Sequence, residues 1–131
     1  MLYGAVNKLP HIPINRGGDY KMKMGPIERP FNMVRGDTGS LVLTAYPRGF
    51  LTGDKVAMMV KPQNDDNPVI TKEVTEFING EAVIAFNPAD TDDLVPGIYY
   101  YDIRVVWNTG AVQTIIKKSD FNLLEDITDV V

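Results

Sequence analysis

Apolar residues recur on every second position over several short stretches of this chain. Tyr20-Lys21-Met22-Lys23-Met24 is the simplest case. Leu41 and Leu43 face one way, Val42 and Thr44 the other. Val56, Met58 and Val60 oppose Ala57, Met59 and Lys61, while Ala82, Ile84 and Phe86 oppose Val83 and Ala85. Successive side chains of a β-strand point to opposite faces, so a period of two predicts strands buried on one face or both. Strands are predicted near 19–24, 28–35, 40–46, 54–61, 69–77, 81–86, 97–107 and 111–117, with a ninth through 119–124.

The joints carry turn chemistry. Asn79-Gly80 suits a type I′ turn, whose two central residues need positive φ. It predicts a hairpin pairing 69–78 with 81–86. Asn108-Thr109-Gly110 predicts a second hairpin between 97–107 and 111–117. The polar run 61–68 joins the strands on either side of it. Pro88-Ala89-Asp90-Thr91-Asp92-Asp93-Leu94 reads as a short helical turn crossing between sheets. After Ser119 two readings stand. Ser119 fits a helix cap with Phe121, Leu124, Thr128 and Val131 on one side, and Phe121 with Leu123 fits a strand equally well. Eleven glycines and nine prolines punctuate the chain, which is costly inside helices. Turn signals at this spacing indicate a sandwich or barrel.

The segment 97–107 divides by face. Tyr99, Tyr101, Ile103, Val105 and Trp107 form an aromatic face that belongs in a core. Tyr100, Asp102, Arg104 and Val106 form the other, with an ionic rung expected between Asp102 and Arg104. Asp93-Leu94-Val95-Pro96-Gly97-Ile98-Tyr99 resembles the tyrosine corner of immunoglobulin-like sandwiches. There a tyrosine at a strand start bonds backward to upstream backbone. Gly97 lets the chain turn before the strand, and Tyr101 fills by bulk the site where immunoglobulin domains often carry a cysteine. These are structural roles for Gly97, Tyr99, Tyr101, Ile103 and Trp107. The fold predicted is all-β: an immunoglobulin-like antiparallel sandwich of about seven to nine strands over 19–131. Residues 1–18 read as an extended arm. Its prolines keep it out of a central ladder, and Leu9, Ile12 and Ile14 need either a surface to cover them or a loose tail.

A chain of 131 residues suits one domain, and 23% charged residues is ordinary for a globular one. The net charge of −4 argues against a general nucleic-acid binder, which needs a basic face. Arg16, Lys21, Lys23, Arg29 and Arg35 concentrate basic residues early, and read as solvated strand faces. No apolar run reaches the roughly 18–20 residues of a membrane helix. Met1 is followed by no basic region and long apolar run of the signal-peptide kind, so no signal peptide is expected.

Catalytic inventory is thin. Cysteine is absent and His11, in the arm, is the one histidine. That disfavours a Ser–His–Asp arrangement and zinc, and no cofactor is expected. Asp90, Asp92 and Asp93, and the run Asn64-Asp65-Asp66-Asn67, lack calcium-loop spacing and read as turn residues. Gly36 and Gly39 lack the lysine of a phosphate loop. Arg35-Gly36-Asp37 reads as a turn into the strand at 40–46 rather than an integrin ligand. Glu73, Glu76 and Glu81 read as surface charge.

Several stretches together carry a resemblance. They are Gly36-Asp37-Thr38-Gly39-Ser40, Lys55-Val56 to Val60-Lys61, Ile70-Thr71-Lys72-Glu73-Val74 and Asp90-Thr91. Gly97-Ile98-Tyr99-Tyr100-Tyr101-Asp102-Ile103, Val112-Gln113-Thr114-Ile115-Ile116 and Asp120-Phe121 complete the set. Over residues 36–124 the chain resembles small tail or baseplate-associated proteins of phages and prophages of Gram-positive bacteria. It is similar to the immunoglobulin-like N-terminal domain of baseplate upper proteins, though shorter than those proteins. The resemblance implies a non-enzymatic virion structural component, in a tail, baseplate or neck. Its partners would be other virion proteins and itself as a homo-oligomer, and it would reach the virion from the bacterial host cytoplasm. It carries over no binding residues. The alternative is a module for host-surface carbohydrate or protein, with Tyr3, Tyr20, Tyr46 and Tyr100 as candidate sugar platforms.

Overall fold

Two sheets face each other in the computed structural model, which describes the strand Ile12–Asn15 and residues 26–128. The strands are β1 (Ile12–Asn15), β2 (Phe31–Val34), β3 (Gly39–Tyr46), β4 (Lys55–Pro62), β5 (Ile70–Val74), β6 (Glu81–Phe86), β7 (Gly97–Val106) and β8 (Val112–Leu124). A single helical turn, α1 (Pro88–Thr91), lies between β6 and β7. The small sheet has the order β1-β3-β6 and the large one β2-β8-β7-β4-β5. With β3 and β6 taken as strands B and E, the run β8-β7-β4-β5 reproduces the G-F-C-C′ order of variable-type immunoglobulin sheets.

The expected alternation holds in β4, β6 and β7, and in β3 with Val42 buried on the opposite face as well. Val56, Met58 and Val60 are buried, as are Leu41, Leu43, Ala82, Ile84 and Phe86. Tyr99, Tyr101, Ile103, Val105 and Trp107 of the β7 segment all enter the core. The tyrosine corner forms: Tyr99 donates its hydroxyl to the Val95 carbonyl at 2.6 Å. Gly97 takes φ of +154°, and a Cβ there would meet nothing within 4 Å. It is the backbone angle, not a close approach, that favours glycine. Tyr101 packs edge-on against Phe31 and Phe121. Phe86 joins them from the small sheet, 5.6 Å from Phe31 between centroids. At the other end of the core Phe50 stacks between Phe77 (5.0 Å) and Trp107 (5.8 Å).

Several expectations are corrected. The sheets are mixed, because β2 runs parallel to β8 and β1 runs parallel to β3. These partners are distant in sequence, as in Phe31↔Phe121, so no turn motif announces them. β5 and β6 do not pair: β5 joins β4 and β6 joins β3. The Asn79-Gly80 turn forms with both residues at positive φ, but it closes only the bridge Ile78↔Glu81. Residues 75–77 carry the chain across to the other sheet, where Phe77 packs on the core. Glu73 and Glu81 therefore stand on different sheets. The turn is held by backbone contact, since a Cβ on Gly49 would lie 3.1 Å from Gly80. The expected strands 111–117 and 119–124 are one strand, β8, and the helical alternative after Ser119 is not adopted. Register shifts against β7 break its alternation, so Ile115 and Ile116 are both buried and Lys117 and Lys118 both exposed. Asp102 and Arg104 form no ion pair within 4 Å among the described residues.

Ile12–Asn15 lie inside the expected arm, and Pro13 is tolerated because β1 is an edge strand. The side chains of Ile12 and Ile14, together with Leu9 and the predicted strand at 19–24, lie outside the described residues.

Buried polar groups tie the loops down. The Asp54 carboxylate accepts from Leu51 N–H at 2.7 Å and Asn108 N–H at 2.8 Å, linking the β3–β4 loop to the β7–β8 turn. Thr91 accepts from Gly36 N–H at 2.8 Å, joining α1 to the β2–β3 turn. Removing Tyr99's hydroxyl (Tyr99→Phe) is expected to cost about 1 kcal/mol in urea unfolding. Asp54→Ala strands two donors and is expected to cost about 2–4 kcal/mol in the same measurement.

Candidate functional site

Alternation in β4 and β7 has a second consequence: every residue not in the core lies on the outer face of the large sheet. β4 presents Lys55, Ala57, Met59 and Lys61 there, and β7 presents Tyr100, Asp102, Arg104 and Val106. The register sets Met59 beside Asp102 and Lys61 beside Tyr100. Val112 and Lys118 from β8, Glu73 from β5 and Asp65 with Asp66 from the β4–β5 loop complete an open concavity of about 700 Å³. Met59 is 43% exposed and Val112 54%, two apolar side chains that share this concavity.

Four cations (Lys55, Lys61, Arg104, Lys118) and four carboxylates (Asp65, Asp66, Glu73, Asp102) line it. The surface therefore carries no single-sign field. Lys118 Nζ sits 4.2 Å from the centre of the Tyr100 ring, a cation–π contact. Lys55 and Glu73 pair at 3.4 Å with both side chains about half exposed, an interaction of little energetic weight. Such an array sets apolar side chains among charges of both signs on an open surface.

The other candidate groups are engaged in local structure. Asp90 accepts from Asn87 N–H at 2.7 Å, capping α1, and pairs with Lys72 at 2.8 Å. Asp65 bonds Asn67 N–H at 3.0 Å within its loop. Among the described residues no three carboxylates or histidines gather in a way that would hold a metal ion. Arg35-Gly36-Asp37 is the β2–β3 turn, as the sequence indicates. Arg35 is pinned to Asp126 at 2.7 Å, and its guanidinium holds that carboxyl below the usual range. Tyr46 and Tyr100 lie on the small and large sheets and are not brought together. His11, Tyr3, Tyr20, Arg16, Lys21 and Lys23 lie outside the described residues.

Arg29 precedes β2 and is not on the solvated strand face expected of it, since its Nε is buried. Its N–H donates to Ser119 Oγ at 2.9 Å, and its carbonyl accepts from the Tyr101 hydroxyl. That bond fastens the entry to β2 onto β7, and the sequence offered no sign of it beyond Tyr101's inward place.

No protein-family model and no curated protein matches the chain. Among solved structures it is similar to the N-terminal domain of phage TP901-1 ORF48, with a TM-score of 0.40 and 12% identity over 92% of this chain and 99% of that one. A likeness this distant carries no argument about function. The sandwich stands on its own strand order.

Burial pushes the Tyr101 phenol up to about 12, opposed by the nearby Arg29 charge. The folded state thus favours the neutral phenol. Its contribution to stability is complete below the ordinary tyrosine value of about 10 and is lost as pH rises through the folded value. Stability of the native chain is expected to fall over that alkaline window, with one phenol ionising late by ultraviolet absorbance. Tyr101→Phe should flatten the alkaline fall while costing about 1 kcal/mol at neutral pH.

Proposed function

We propose that this domain is a non-enzymatic structural component of a phage or prophage virion, in a tail, baseplate or neck, acting through protein–protein assembly. The observation that carries the reading is the outer face of the large sheet. It exposes Met59 near Tyr100 and Val112 beside Val106 at the other end, among balanced charges, over an open surface rather than an enclosed cleft. Apolar side chains ringed by charge are the make-up of a protein contact. The class of partner comes from the sequence resemblance over residues 36–124, and the G-F-C-C′ strand order agrees with the fold that resemblance implies.

A host-surface carbohydrate module is the alternative, and the geometry favours it less. Sugar platforms set aromatic rings beside polar groups on one surface. Tyr46 and Tyr100 are on different sheets, and the Tyr100 ring already carries Lys118.

The double variant Met59→Lys with Val112→Glu tests the reading, the new cation facing Asp102 across the strands rather than adding a like charge beside it. Both side chains are exposed, so unfolding stability should change by no more than about 0.5 kcal/mol per site. Incorporation into particles, read by mass spectrometry of purified virions, should drop. Normal incorporation of a stable variant would show that the outer face is not the contact.

A further inference from the structure

The two sheets end in β1, β6, β2 and β5. Three of these edges carry features that discourage further pairing. β1 contains Pro13, and β2 is four residues long and follows Pro30. β5 contains Lys72, whose ammonium turns inward to Asp90 at 2.8 Å and lies 5.6 Å from the Phe86 ring centre. Proline, short length and inward charge are recognised ways of blunting an edge. β6 has none of them. Glu81-Ala82-Val83-Ile84-Ala85-Phe86 contains no proline, lysine or register shift, and its one charge is at the first residue. Immunoglobulin sheets of the A-B-E-D kind place a fourth strand beside E. No described strand lies there in this chain.

The direction of the free backbone groups follows from the Asn79-Gly80 turn. Glu81 exchanges both backbone hydrogen bonds with Ile78, at 2.9 and 3.0 Å, on the side of β6 away from β3. Backbone groups in a strand alternate sides, so those of Val83 and Ala85 also point away from β3. The side chains of both residues lie on the outer face, with Val83 half-buried and Ala85 exposed.

We infer that β6 pairs antiparallel with β6 of a second copy, about a two-fold axis at Ile84. Val83 of each chain then lies opposite Ala85 of the other, and the two residue pairs exchange four hydrogen bonds. Opposed residues share a face, as antiparallel pairing requires. Ile78 already occupies the place opposite Glu81, so the pairing is confined to residues 82–86, which carry no charge. The small sheets join into one six-stranded sheet, β1-β3-β6 continued by β6-β3-β1. The outer face of each large sheet stays open for other partners. This deepens the assembly reading by naming one partner, and rests on it for its biological setting. The contact is small, so the dimer belongs to the weak, concentration-dependent class.

Sedimentation equilibrium across a wide concentration range tests the pairing. The native chain should dimerise reversibly. Ala85→Pro deletes a donor that points away from β3, so the monomer should keep its fold by circular dichroism. Losing two symmetric hydrogen bonds should weaken dimerisation about ten- to a hundred-fold. A second measurement does not depend on that variant folding. The chain has no cysteine, so Val83→Cys with Ala85→Cys places thiols on facing residues with Cα atoms about 5.5 Å apart, within disulfide reach. Mild oxidation should cross-link that double variant, and neither single variant. A monomer at all concentrations, a dimer untouched by Ala85→Pro, or cross-linking by Val83→Cys alone would each overturn the pairing. If the edge fails these tests while the chain is still found in purified particles, the assembly reading stands without it. Absence from particles would defeat that reading whatever the edge does.

Discussion

The inward face of β7 holds the molecule together. β7 is paired on both sides, to β4 and β8, and its Tyr99, Tyr101, Ile103, Val105 and Trp107 fill the space between the sheets. Its two ends are fixed differently. Tyr99 reaches back to Val95, closing the turn that follows α1. Trp107 stacks on Phe50 and donates Nε1–H to Gln113 at 3.0 Å. Between them, Tyr101 crosses to the Arg29 carbonyl and draws the entry to β2 alongside β8. The two hydroxyls and the indole N–H each have a partner, which lets large aromatic side chains be buried without an unpaired donor.

Because β7 and β4 commit one face to the core, their other face is left on the outside of the sheet. The period of two that builds the sandwich also builds the surface of Met59, Tyr100, Asp102, Arg104 and Val106. Scaffold and contact surface are opposite sides of the same strands. The aromatic run that draws the eye in the sequence is therefore mostly structural. Of its three consecutive tyrosines, Tyr99 and Tyr101 serve the core and Tyr100 alone serves the face.

Local rules in the sequence were reliable, and long-range ones were not. The faces of β3, β4, β6 and β7 were legible because alternation is a property of neighbouring residues. The corner was legible because Val95 and Tyr99 are four residues apart. The Asn79-Gly80 turn was legible as a turn, but its dihedral preference says nothing about which sheet each flank joins. Phe77 and Phe50 decide that, through a contact between distant segments. The parallel β1–β3 and β2–β8 pairs have no connecting turn to announce them. In β8 the pair Ile115-Ile116 followed by Lys117-Lys118 did mark the loss of alternation, and it looked like the end of one strand and the start of another. The outer face could be named residue by residue once β4 and β7 were known to be adjacent, which only the register supplies. Asp54 gave no sign, since a single aspartate before a strand does not reveal the two loop N–H groups it gathers.

The proposed contact with other virion proteins runs through the outer face of the large sheet. Lysine-directed cross-linking of intact, purified particles, followed by mass spectrometry, measures that contact where it would exist. Lys55, Lys61 and Lys118 are on the face and Lys117 is exposed nearby. Links from the face lysines to a different virion protein are expected. Particles that lack the chain, or that hold it with its face lysines linked to nothing while other lysines react, would contradict the proposed contact.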